Sequence, residues 1–331
     1  MREKGFIEKS EDITLVVAEG GLSNRLKCLI SGMRIAEKTS SRLLLYWPYN
    51  DHFCCKFSNL FKNQIEEITP EAYQAFANAK KEYKNCRVVS SWRFQILPED
   101  DLPEDFFHDL QDSAVGCIDL EFDRIPVPIR TDFLKYIRKI CIADTIAQRV
   151  DEFSRKMGRN PVGLHIRTWS REMDVKYAER RFFFDLGLIY KMMDRIKNSA
   201  FYISTDSEEV LKHLQQRYGE KILHCPKKDT KEGQSTRNEE DALIDLLLLS
   251  KCNELKVSHT STFGEMAWWL GGCSSKVEVI PIKKYAFKLI HLGWDWFGLY
   301  VFGKLYVRHK NARLIKLVKP ISDIVKRLSR S

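Results

Sequence analysis

Short unbroken apolar runs alternate along this chain with segments whose apolar residues recur every three or four positions. The first run, ITLVVA at 13–18, ends in Glu19-Gly20-Gly21. Leu22, Leu26, Leu29, Met33 and Ala36 then follow at helical spacing. A second run over 43–47 stops at Pro48. The pattern predicts strand, glycine turn, helix and strand, the opening of a βαβ unit. Residues 50–130 are less regular, with DHFCCKFSNLF, an acidic PEDDLPEDF loop and RIPVPIR. An amphipathic helix is predicted over 144–157, and polar Gly158-Arg159-Asn160-Pro161 marks a domain boundary.

The second unit is plainer. Strands are predicted over 162–167, 201–204, 221–225, 254–258 and 277–280. Helices are predicted over 184–197, 207–218, 241–252 and 262–270, with KKDTKEGQSTRNEE as a polar loop. Strict β-α alternation implies a doubly wound parallel sheet. Two such units place a cleft between them, with the strand carboxyl ends facing it. The expected division is 1–157 as an N-terminal Rossmann-like, acceptor-side domain, 158–285 as a C-terminal Rossmann-like, nucleotide-sugar-binding domain, and 286–331 as an aromatic and basic tail.

Composition narrows the class. Of 331 residues, 44% are hydrophobic and 30% charged, which supplies a core and excludes a disordered chain or a coiled coil. No window is an apolar run of about 18 residues, so a spanning helix is not expected. The charged start MREKGFIEKSED has no apolar h-region, which argues against a secretory signal and for a cytoplasmic protein. The net charge of +9 is concentrated from Lys304 onward, where nine Lys/Arg face the single acid Asp323. A nearly neutral body argues against nucleic-acid binding. The nine cysteines include no CxxC pair. Cys28 in RLKCLI and Cys141 in KICIA read as reduced core thiols, and no metal site is expected.

Candidate chemistry gathers at strand ends. Gly20, Gly21, Asn24 and Arg25 lie where the first strand gives way to a helix. That segment is either a cradle for an anion on helix N-terminal amides or a plain turn with Ser23 as N-cap. It matches neither GxGxxG nor GxxxxGK[ST]. His165 and Arg167 end the next unit's first strand, on the same side, where an apolar run is the rule. Arg167 suits a diphosphate through its planar fork, or pairs with a structural acid. Asp206 in Ser204-Thr205-Asp206 is a further ligand candidate or part of an ordinary N-cap. Asp245 stands among aliphatics in ALIDLLLLS and needs a fixed partner. In Ser258-His259-Thr260-Ser261-Thr262-Phe263, hydroxyls precede a helix and form a second phosphate-sized cradle.

These blocks resemble the GT-B fucosyltransferases of the nodulation-protein Z, α1,6-fucosyltransferase and protein O-fucosyltransferase superfamily. The carrying residues are GGLSNRL at 20–26, HIR at 165–167, STD at 204–206 and ALIDLLLLSKCNELKVSHTSTFGEMA at 242–267, over roughly 13–281. The resemblance implies an α/β GT-B fold of two Rossmann-like domains facing a cleft. It also implies a GDP-sugar donor, usually GDP-fucose, and inverting transfer with neither metal nor cofactor. Carried over, His165 and Asp245 contact guanine, Arg167 clamps the diphosphate, and Ser261 and Thr262, with Phe263 beside them, add donor contacts. Asn24 and Arg25 reach the donor from the N-terminal domain. The sugar-to-polysaccharide branch reads His-x-Arg-Arg-x-Asp, whereas this chain has His165-Ile166-Arg167-Thr168-Trp169-Ser170. Glu172 and Asp174 are the nearest candidates for the catalytic carboxylate. Transfer of another nucleotide sugar, or a non-catalytic glycan-binding or scaffold role, remain as alternatives.

The stretch at 286–303 holds Trp294, Trp296, Phe297, Tyr300 and Phe302, and the basic tail follows. Aromatics beside a basic amphipathic stretch predict a helical tail lying on an anionic membrane. The expected setting is the inner face of a bacterial cell membrane, with a glycan or lipid-linked glycan acceptor in surface polysaccharide assembly.

Overall fold

The computed structural model describes residues 10–50, 53–95, 113–115, 127–168, 186–197, 199–227, 239–258 and 261–280. Glu172, Asp174 and the tail at 286–331 lie outside the described residues. Strand β1 (Ile13–Val17) is buried at all five positions, which explains its unbroken apolar run. Helix α1 (Leu22–Thr39) returns over the sheet to β2 (Arg42–Tyr46). Next come α2 (Phe57–Leu60), β3 (Glu66–Glu67), α3 (Pro70–Asn78), β4 (Cys86–Gln95) and β5 (Ser113–Val115). The strands form one parallel sheet in the order β3-β2-β1-β4-β5.

Helices α4 (Val127–Ile137) and α5 (Asp144–Ser154) lead into the second half. It runs β6 (Val162–Ile166), α6 (Leu186–Met193), β7 (Phe201–Thr205), α7 (Glu208–Tyr218) and β8 (Ile222–Leu223). It continues through α8 (Glu239–Ser250), β9 (Glu254–Val257), α9 (Thr262–Leu270) and β10 (Lys276–Val279). The sheet order is β10-β9-β6-β7-β8, all parallel. Each half is therefore a Rossmann-like unit whose connections reverse direction beside its first strand. This is the GT-B class of two such units in one chain. In a doubly wound sheet the ligand crevice opens at that reversal, at the strand carboxyl ends. Here those points are β1 beside β4 and β6 beside β9.

One apolar cluster runs through both halves, from Val16 and Leu29 to Leu243, Trp268 and Trp269. Phe133 of α4 packs on Trp269 of α9 with ring centroids 5.3 Å apart. Ile146 and Val150 of α5 join the same cluster, with α5 against α8. Within it Lys27 of α1 meets Glu265 of α9. The ammonium donates to both carboxylate oxygens at 2.7 and 2.8 Å, both side chains are 0% exposed, and Trp269 Nε1 donates to the same carboxylate. Close approach on α9 needs a glycine. A Cβ on Gly264 would stand 2.6 Å from Val257 Cγ1 of β9.

Two expectations are corrected. Cys141 is exposed rather than a core thiol, because it is the neighbouring Ile142, bridged to Phe61, that packs onto the core. Cys28, in contrast, is fully buried, and burial pushes its thiol up to about 12. Ser23 is not an N-cap, since Gly21 holds that position and no side chain caps α1. Among the described residues no helix is long and apolar enough to cross a membrane.

Glu265→Gln leaves Lys27 as an uncompensated buried charge, so urea unfolding should show a loss of about 3–5 kcal/mol. The joint change Lys27→Met with Glu265→Leu should recover most of it. A single variant within about 0.5 kcal/mol of the parent, the range of ordinary surface changes, would contradict this account.

Candidate functional site at the carboxyl ends of β1 and β6

In the first half, β1 passes through Glu19 into Gly20, whose φ of 75° is a left-handed conformation suited to glycine. Glu19 N donates to Ser91 Oγ at 3.0 Å, which ties the end of β1 to the middle of β4. Gly21 then starts α1, and the first-turn amides point into the turn without a side-chain cap. Ser23 Oγ and Asn24 Oδ1 are buried atoms without a hydrogen-bond partner. Orphaned polar atoms of this kind are costly and rare in native proteins. At an open helix N-terminus they mark where a polar ligand would sit.

Arg25 is placed differently from its expected role as a donor contact. It is 1% exposed, and its guanidinium lies 3.8 Å from the Phe53 ring centroid and 4.9 Å from that of Trp47. Its Nε donates to the Gly20 carbonyl at 2.9 Å. Arg25 is thus a buried strut that holds the glycine turn, clamped by cation–π contacts.

In the second half, β6 and β9 close on each other at the reversal point. Ser258 N and Oγ both donate to the His165 carbonyl, and Arg167 N donates to Ser258 Oγ at 2.8 Å. The His165 ring is buried and stacks on Phe263 of α9, with centroids 4.9 Å apart and planes 23° from parallel. Its Nδ1 has no hydrogen-bond partner among the described residues. Burial lowers the imidazole to about 4, opposed by nearby Asp206 and reinforced by Arg167. The ring is therefore neutral at physiological pH.

Arg167 reaches Asp206 at 2.7 Å, and Thr168 N and Oγ1 donate to the other carboxylate oxygen at 2.8 and 2.9 Å. Asp206 thereby orients the guanidinium, which remains 22% exposed. Ser207, not the preceding STD run, caps α7 through Val210 N. Asp245 lies one layer below. Tyr202 Oη donates to one of its oxygens at 2.5 Å and Ser204 Oγ to the other at 3.1 Å. Burial raises its carboxyl above the ordinary range and pushes the Tyr202 hydroxyl well up. Ser261 is the N-cap of α9 and Thr262 its first residue, yet the Ser261 hydroxyl makes no capping bond. His259 and Thr260 lie outside the described residues.

The structure brings His165, Arg167, Asp206, Ser261, Thr262 and Phe263 to one strand-end reversal. Gly20, Gly21 and Asn24 lie at the other, and Asp245 supports the first from beneath. The sequence gives no sign of Tyr202, Trp47 and Phe53 as supports, and Ser258, expected in the phosphate cradle, instead ties β9 to β6.

No protein-family model matches the chain, and no curated protein matches it. Solved structures do show likeness of overall course. The NodZ α-1,6-fucosyltransferase soaked with GDP-fucose has a TM-score of 0.49 and 17% identity, covering 79% of this chain and 93% of its own. Arabidopsis thaliana FUT1 in complex with GDP has a TM-score of 0.48 and 14% identity, covering 86% and 73%. POFUT1 in complex with GDP-fucose has a TM-score of 0.45 and 11% identity, covering 84% and 99%.

The buried neutral imidazole makes stability depend on pH. The unfolded ring takes a proton below about pH 6.5, whereas the folded one resists until about 4. Its contribution is full above pH 6.5, falls as the pH drops toward 4 and is then lost. Over that window the parent should lose on the order of 3 kcal/mol more than His165→Phe in urea unfolding. Equal losses would refute the buried neutral state.

Proposed function

We propose that this chain is a glycosyltransferase that takes a nucleoside diphosphate sugar at the β6–β9 reversal, the donor being GDP-fucose. One observation carries the reading. A buried imidazole with an orphaned Nδ1, a partly buried arginine already aimed by Asp206, and a helix N-terminus without a side-chain cap converge at one strand-end crevice. Those groups match the parts of such a donor. The orphaned nitrogen accepts or donates to a base edge, and guanine offers both kinds of group. Arg167 offers a planar, always-charged fork whose geometry suits a diphosphate. The first-turn amides of α9, with Ser261 and Thr262, neutralise phosphate charge. The motif resemblance selects guanine and fucose among nucleotide sugars.

The transfer is inverting and metal-independent in this reading. An acceptor hydroxyl oxygen forms the new bond to the anomeric carbon as that carbon's bond to the phosphate oxygen breaks. The hydroxyl proton goes to a carboxylate, for which Glu172 and Asp174 are the candidates, and GDP leaves with the bonding pair. Arg167 and the amides of α9 stabilise the charge gathering on the diphosphate. The acceptor is a glycan or lipid-linked glycan of bacterial surface polysaccharide assembly. The chain works at the inner face of the cell membrane, with 286–331 on the anionic surface.

The Arg167–Asp206 pair also favours a second reading, in which the fold binds a glycan or nucleotide without turnover. Release of GDP from GDP-fucose separates the two. The parent should release GDP in the presence of EDTA, and Arg167→Ala should lower the rate on the order of 10²-fold or more. A parent that binds GDP-fucose yet never releases GDP would support the non-catalytic reading. An Arg167→Ala variant at parental rate would remove Arg167 from the mechanism.

A further inference from the structure

The first half carries a feature that the donor site does not use. Tyr46 ends β2, and Tyr73 lies on α3. Their rings are stacked with centroids 4.0 Å apart and planes 12° from parallel. Both are partly buried against Leu15, Val17, Ile68 and Phe76, on the sheet face away from α1. Tyr46 pairs in register with Val17. Alternation past Val17 sends Ala18 to the α1 side, where it joins that cluster, and Glu19 to the side of the tyrosines. Glu19 therefore stands beside the pair, at the residue where the glycine turn of the donor site begins. Its charge acts on both tyrosine hydroxyls, whose ionisation is raised first by burial and then by Glu19. Both phenols stay protonated and able to donate.

We infer that Tyr46, Tyr73 and Glu19 form a subsite for a neutral sugar ring of the acceptor. The inference rests on the glycosyltransferase reading and deepens it. A pyranose presents a face of C–H bonds and a rim of hydroxyls. The electron-rich face of a tyrosine attracts the C–H face. A carboxylate is acceptor-only with about four lone-pair sites, so Glu19 takes rim hydroxyls in addition to its present contacts. Two stacked rings lose little side-chain freedom when a ligand settles, because each already fixes the other. The chain also places the subsite at the carboxyl edge of β1 and β2, where an α/β sheet receives ligands. Tyr49, three residues past Tyr46 and 62% exposed, is the one large apolar side chain exposed among the described residues. It continues the aromatic character of this edge. A cationic ligand would also meet a carboxylate and π faces, but it would not need a flat pair.

The test uses the full chain, fluorescently labelled, on an array of neutral, anionic and amine-bearing oligosaccharides, with GDP titrated separately by calorimetry. Retention on neutral glycans is expected. Tyr73→Ala and Glu19→Gln should each lower it about tenfold, and Tyr73→Phe should keep it. GDP affinity of Tyr73→Ala should stay within about twofold of the parent, which also shows that the variant folds. Absence of neutral glycans among those bound, binding of amine-bearing glycans alone, or neutral binding indifferent to both Tyr73→Ala and Glu19→Gln would each overturn the subsite. Neutral glycan binding without any GDP binding would overturn the donor reading and leave the subsite standing.

Discussion

Lys27 and Glu265 bind the two halves at a point where neither side chain meets water. Two charges in such a place hold only while both remain and their geometry is good. The pair therefore fixes α1 against α9, and those are the two helices whose N-termini serve the strand-end crevices. Trp269 adds a hydrogen bond to the carboxylate, and Phe133 packs against the same indole. Shifting one helix along the other would break the bidentate contact, expose apolar surface and leave a buried charge. The spacing of the two helix N-termini thus follows from a contact within the first two turns of each helix.

Within each half the crevice is built by the same means. A polar strand end is held by a hydroxyl from the neighbouring strand, Ser91 for Glu19 and Ser258 for His165 and Arg167. A helix then starts without a side-chain cap. The supports are held from within: Asp245 accepts from Tyr202 and Ser204, and Arg25 donates through Nε to Gly20 and lies against two aromatic faces. Ser23 Oγ, Asn24 Oδ1 and His165 Nδ1, all near the strand ends, are among the buried atoms without a hydrogen-bond partner among the described residues.

The second half was legible because each strand is a short apolar run closed by a polar strand end. The strand expected over 221–225 shrinks to Ile222–Leu223, since Pro226 stops the ladder. Residues 50–130 resisted reading for a physical reason. Strand β3 is only the acidic pair Glu66–Glu67, and β4 spends Ser91 on a hydrogen bond rather than on packing. Local spacing also misjudged partners that come from afar. The sequence around Arg25 shows a cation near glycines and gives no sign of the box that Trp47 and Phe53 close around it. Asp206 reads locally as a cap, and only the fold reveals that it faces Arg167. Asp245 shows the converse: an acid among aliphatics had to have a partner, but which hydroxyls would supply it required the register of β7.

The donor reading requires the β6–β9 crevice to bind a guanine nucleotide with protein groups alone. Calorimetric titration of the full chain with GDP and UDP, with and without EDTA, tests it most directly. The account predicts GDP binding that EDTA does not change, that exceeds UDP binding, and that is weakened in Arg167→Ala. Absence of any nucleotide binding, or binding that EDTA abolishes, would contradict it.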